Sequence, residues 1–150
     1  DEQKAQKLVA RIHATTDFAA LSGCEFVIEA VFEDRAVKAD VTARAEAVIE
    51  AESVFASNTS TLPISGLAEA SSRPGNFIGM HFFSPVERMP LVEIIRGRQT
   101  DDVALARALD LAKKLGKTPI VVNDSRGFYM SRVFATYCYE GQVLLSEGVS

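Results

Sequence analysis

A histidine and a glutamate twelve residues apart are the pair in this chain best suited to do chemistry. His81 follows the apolar run Phe77-Ile78-Gly79-Met80, and Glu93 stands alone within Leu91-Val92-Glu93-Ile94-Ile95. If both runs are strands, the carboxylate is brought back beside the imidazole. A carboxylate within such an aliphatic run is not buried without a partner. A neighbouring anion fixes an imidazole's tautomer and orientation and stabilises its protonated form, which suits it to act as a general base. The plainer alternatives are a strand-end histidine bonded to backbone and a Glu93 facing water from an edge strand. For an isolated histidine the first would prevail; Glu93 shifts the balance.

The elements that must position this pair follow from pattern. Residues 2–11 read as a short charged surface helix, 12–15 as a brief strand, and Asp17 as the cap of a turn at Phe18–Leu21. Residues 26–32 (Phe-Val-Ile-Glu-Ala-Val-Phe) form a continuous apolar run, as in a strand covered on both faces, with Glu29 either paired or near an end. Asp34 caps a helix running to Glu50 with Val37, Val41, Ala45 and Val48 inward. A strand over 53–57 leads to Asn58-Thr59-Ser60, and Pro63 fits the first turn of a short helix capped near Ser60 or Thr61. After a loop at 71–75, strands at 77–80 and 91–95 follow. Next come a helix capped by Asp101 or Asp102 with Leu105, Ala108, Leu109 and Ala112 inward, a strand at 119–122, a turn at 123–127 and a final helix.

That order describes an α/β protein with a largely parallel sheet. Ligands in such sheets collect outside the carboxyl ends of the strands, where Glu33, Asn58 to Ser60 and His81 all fall. Each has a bland reading: Ser60 as a helix cap, Glu33 and Lys38 as solvated first-turn residues, Asn123-Asp124-Ser125 as a turn, and Arg73 and Arg88 as solvated loop arginines.

Composition removes several classes. At 150 residues the chain holds one sizeable domain, and a net charge of −4 argues against nucleic acid as the main partner. No apolar run approaches the roughly 18 residues of a membrane span. Two histidines far apart offer no metal pair, so no metal is expected. Cys24 and Cys138 are too few for a disulfide framework, which fits a reducing, cytoplasmic location. No Gly-x-Gly-x-x-Gly occurs, so a nucleotide site cannot rest on a phosphate loop within this chain. The chain begins within a helical pattern and stops at Glu147-Gly148-Val149-Ser150, so a fragment is expected.

Five ordered segments now stand together: Val-Ile-Glu-Ala-Val-Phe-Glu-Asp (27–34), Ala-Ser-Asn-Thr-Ser (56–60), Gly-Met-His-Phe-Phe-Ser-Pro-Val (79–86), Leu-Val-Glu-Ile-Ile (91–95) and Asn-Asp-Ser-Arg-Gly-Phe (123–128). Their order and spacing resemble the L-3-hydroxyacyl-CoA dehydrogenases, most closely the dehydrogenase part of multifunctional fatty-acid oxidation proteins that join it to an enoyl-CoA hydratase. The resemblance runs along essentially the whole chain. It implies an incomplete, doubly wound Rossmann-type sheet over 1–124, lacking the N-terminal strand and glycine-rich turn. The start of an all-helical C-terminal domain would occupy 125–150.

The reaction implied is oxidation of an L-3-hydroxyacyl-CoA to the 3-ketoacyl-CoA in β-oxidation, with hydride passing to NAD. By position, His81 matches the base, Glu93 the carboxylate that orients it, and Ser60 the serine that bonds the substrate oxygen near the nicotinamide. Val31, Phe32, Glu33 and Lys38 match positions beside the cofactor's ribose and nicotinamide, and Ser84 a further cofactor contact. Ser131 falls where many members place a substrate-binding asparagine; serine is shorter and has a hydroxyl in place of the amide. Without the glycine-rich turn, weak NAD binding and little turnover are expected of the isolated chain. Partners expected are the acyl-CoA substrate and either a second copy or the rest of the parent protein. The competing readings are a non-catalytic α/β binding or scaffold module, and a related β-hydroxyacid dehydrogenase that would use a lysine instead.

Overall fold

The structure, a computed structural model, describes residues 2–149. Five strands form one sheet in sequence order: β1 (Phe26–Glu29), β2 (Val54–Ser57), β3 (Phe77–Phe82), β4 (Leu91–Arg96) and β5 (Thr118–Asn123). The pairs β1–β2, β2–β3 and β4–β5 are parallel, and β3–β4 alone is antiparallel. Five α-helices accompany them among the described residues: α1 (Glu2–Val9), α2 (Arg35–Glu46), α3 (Ile64–Leu67), α4 (Asp102–Lys114) and α5 (Met130–Ser146). This is a Rossmann-like α/β layer arrangement with a largely parallel sheet. The antiparallel step between β3 and β4 sets His81 directly opposite Glu93 in register.

Strand alternation divides the sheet into two covered faces. On one, Val54, Ala56, Ile78, Met80, Val92 and Ile94 pack against Ala104, Ala108 and Ala112 of α4. Three alanines at intervals of four give that helix a narrow face, so it lies close on the strands. On the other, Phe55, Phe77 and Ile95 meet Ala45, Ile64, Leu67 and Phe128. Gly79 is required here, because a Cβ at that position would lie 2.8 Å from both Ile64 and the Ile95 Cβ. By alternation, His81 and Glu93 belong to this second face, at its edge near α5.

Several expected boundaries shift. Residues 12–15 form no strand. β1 ends at Glu29 rather than at residue 32, because the Glu29 carboxylate accepts the Val31 amide (3.1 Å) and turns the chain. Helix α2 stops at Glu46, and Arg73, expected to be solvated, donates to the carbonyls of Glu46 and Glu50 (2.6 Å each) at its end. The inward face of α2 carries Lys38 and Thr42 beside Ala45, whereas Val37 is exposed. Pro63 is the N-cap of α3 rather than a first-turn residue. The capping acceptor is the distant Asp124, whose carboxylate takes the amides of Ile64 (2.7 Å) and Ser65 (2.8 Å).

Candidate active site

His81 lies within β3, one residue short of its end, and is nearly buried. Its Nδ1 is 2.8 Å from Glu93 Oε2, and Glu93 is completely buried. The other carboxylate oxygen accepts the backbone amides of Tyr129 (3.0 Å) and Met130 (2.8 Å). Those amides open α5, where the helix dipole favours a negative charge. They reach Glu93 because Gly127 (φ 74°) and Phe128 (φ 47°) are both left-handed and reverse the chain just before them. Positive φ is uncommon for a bulky residue such as Phe128, which is held by its burial in the core.

This geometry fixes the imidazole's tautomer. A carboxylate already taking two amides can only accept from His81, so Nδ1 carries the proton and Nε2 presents a lone pair. Nε2 has no protein partner, and among the described residues no buried side-chain nitrogen or oxygen lacks one. Nε2 is therefore open to solvent, on a cavity of about 350 Å³. Ser60, His81, Ser84 and Ser131 supply the polar part of that cavity, and Phe83, Met89, Met130 and Phe134 the apolar part. A mostly apolar cleft of this size with a few convergent polar groups is what a small-molecule site requires.

The Ser60 loop is held from three sides. Glu33 Oε1 accepts the amides of Ser60 (3.0 Å) and Thr61 (3.1 Å) and the Thr59 hydroxyl (2.5 Å). Gly127 donates to the Thr61 carbonyl (3.3 Å), and the Ser131 hydroxyl lies 3.5 Å from the Ser60 carbonyl. Asn58 Oδ1 accepts the Phe82 amide (2.9 Å), tying the end of β2 to the strand that bears His81. Partial burial would raise the Glu33 pKa. The Thr59, Thr61 and Ser60 hydrogen bonds and the charge of Lys38 outweigh it and hold the carboxyl below its ordinary value.

The residues expected near a cofactor divide into two groups. Val31 and Phe32 are exposed just beyond β1, Phe32 to 85 %, and Ser84 and Ser60 are exposed beside His81. Lys38 is enclosed instead. Its ammonium donates to both Glu29 oxygens (2.9 and 3.1 Å), lies 3.4 Å from Glu33 Oε2, and is 2 % exposed as a residue. The surface groups fit a dinucleotide: Glu33 Oε2 retains acceptor capacity for hydroxyls, and two unburied apolar side chains stand beside it at a strand's carboxyl end. Sequence reasoning missed the Tyr129 and Met130 amides and the role of Asp124. The one signal for the former was that a single histidine cannot satisfy both oxygens of a buried Glu93.

A Rossmann-like sheet with a carboxylate-backed histidine beside a strand-end cleft is the arrangement of a dinucleotide-binding α/β domain. The comparisons define it more closely. The sequence model for the NAD binding domain of 3-hydroxyacyl-CoA dehydrogenase matches residues 1–125, and the chain belongs to that family. Among solved structures, FadB2 of M. tuberculosis superposes with a TM-score of 0.93 at 36 % identity. The (S)-3-hydroxybutyryl-CoA dehydrogenase PaaH1 of Ralstonia eutropha gives 0.92 at 39 %. Both matches cover 100 % of this chain and 53 % of the other, so the chain spans about half their length. The dehydrogenase part of multifunctional enzyme 1 from C. elegans gives 0.81 at 31 %, over 96 % of this chain and 34 % of that one. NAD is the cofactor of this domain family.

Proposed function

We propose that the chain is the NAD-binding, base-bearing part of an enzyme that oxidises L-3-hydroxyacyl-CoA to 3-ketoacyl-CoA in fatty-acid β-oxidation. The observation that carries the reading is the His81–Glu93 pair, with Nε2 unpartnered on an apolar cleft. Nε2 accepts the proton of the C3 hydroxyl as the C3–H bond releases its electron pair, leaving a C3 carbonyl. When bound, NAD supplies the acceptor for that hydride. The imidazolium so formed lies against Glu93, which neutralises it without moving. Ser60 donates to the reacting oxygen, and Ser131 borders the substrate on the opposite wall. Val31, Phe32, Glu33 and Ser84 hold the cofactor, with Lys38 behind them.

Partners fit the same reading. Helix α5 leaves Phe134, Tyr137 and Leu145 exposed, a face suited to the rest of the parent protein or to a second copy. Both cysteines are free, consistent with a cytoplasmic enzyme, and among the described residues no helix is long and apolar enough to cross a membrane. The test is a steady-state assay of the intact protein with acetoacetyl-CoA and NADH. NADH oxidation dependent on the acyl-CoA is expected. Its absence in a protein that binds NADH would favour the non-catalytic scaffold reading and overturn this one.

A further inference from the structure

We infer that Glu29 is a positioning residue whose buried carboxylate, together with Lys38, locks the two loops bearing Val31–Glu33 and Ser60 into one unit. The inference rests on the function proposed above and deepens it, since the reaction itself uses neither side chain. Glu29 is the last residue of β1 and 4 % exposed, so an unpaired charge there would be costly. Four bonds satisfy it, and they divide between the two loops.

Toward the first loop, Oε2 accepts the Val31 amide (3.1 Å) and the Lys38 ammonium (3.1 Å), and that ammonium also reaches the Val31 carbonyl (3.5 Å). Toward the second, Oε1 accepts the Ser57 hydroxyl, whose oxygen in turn accepts the Thr59 amide (3.3 Å). The Glu29 carbonyl takes the Asn58 amide (2.9 Å). Lys38 closes the circuit at Glu33 (3.4 Å), which holds the amides of Ser60 and Thr61. Every member is desolvated except Glu33, which is held by backbone amides instead, and a lysine flanked by two carboxylates has no freedom to leave. A buried pair that merely filled the core would be expected to contact packing neighbours. This one contacts the backbone of both loops at the mouth of the site. Such a network transmits small displacements, and a misplacement of about 1 Å at reacting groups can cost roughly 10²-fold in rate.

Two variants of the intact protein test it. Glu29→Asp keeps the charge but withdraws the carboxylate by one methylene, and Ser57→Ala cuts only the link to the second loop. Amide hydrogen exchange is read at Val31, Thr59, Ser60 and Thr61, with β3 and β4 as internal controls. For Glu29→Asp, exchange at all four amides is expected to rise about tenfold with the controls unchanged. The kcat should fall about tenfold with the KM for acetoacetyl-CoA within about twofold. For Ser57→Ala, the rise should appear at Thr59 to Thr61 and spare Val31. Unchanged loop exchange in both variants, or a rise shared equally by β3 and β4, would overturn the inference. Because exchange needs no turnover, loop amides that respond in a protein without acyl-CoA activity would sink the reaction and keep the positioning role.

Discussion

Two buried carboxylates lie behind the residues around the cleft, and they are used in opposite ways. Glu93 has one histidine and two helix-opening amides, and its histidine keeps a nitrogen free toward the cavity. Glu29 has a lysine, a serine and an amide, and all of their remaining capacity is turned back into the protein. Both are buried, so burial alone does not separate the partner of the proposed base from the positioning residue. What distinguishes the chemical site from the structural one is an unspent donor or acceptor beside a cavity. Helix α5 sharpens the contrast: Glu93 is held by the backbone that opens α5, and Glu29 by the sheet and α2.

If that contrast is right, substitutions on the two sides should separate rate from stability. The largest effect is expected at His81. His81→Gln removes the free lone pair, and kcat should fall by about 10²–10⁴-fold with NADH binding retained. A loss under tenfold would break the distinction. Glu93→Gln comes next, because one end of its amide must oppose a donor, either the amides of Tyr129 and Met130 or Nδ1–H of His81. Turnover should drop about 10²-fold, and chemical denaturation should show a loss of about 1–3 kcal/mol. Equal stability would mean the carboxylate is not held as described.

Phe32→Ala tests the surface side. With 85 % of the residue exposed, folding stability should be unchanged, while NADH binding by fluorescence weakens about fivefold, as for burial of part of an aromatic face. A change in unfolding midpoint would show that Phe32 serves the fold instead. The smallest effect is a pH dependence. The Glu33 carboxyl sits below its ordinary value in the folded protein, so its stabilisation is present above the ordinary carboxylate range and disappears as pH falls through the folded value. The stability gap between wild type and Glu33→Gln should therefore be widest near neutrality and close on acidification. A gap that widens in acid would reverse the assignment.

Much of this was legible in the chain. Short apolar runs mark all five strands, together with one at 12–15 that does not form, and the lone Glu93 in an aliphatic run points to a buried partner at His81. Local pattern failed where distant groups decide. The end of β1 depends on Glu29 bonding two residues ahead, which a continuous apolar run through Phe32 conceals. The cap of α3 comes from Asp124, sixty residues away, and no periodicity carries that information. Lys38 looked like a solvated first-turn residue because its partner, Glu29, lies on the preceding strand. The left-handed Phe128 that aims two amides at Glu93 is likewise set by packing, since nothing in its own type favours positive φ.

The central claim is that Glu93 holds His81 with its proton on Nδ1 and its lone pair on Nε2. Nitrogen-15 NMR of the imidazole in the intact protein reads this directly. Above the pH at which the ring is charged, the account predicts a protonated Nδ1 and an unprotonated Nε2, with that preference lost in Glu93→Gln. A wild-type ring protonated at Nε2 would contradict it, because the nitrogen facing the cleft could not then accept a proton.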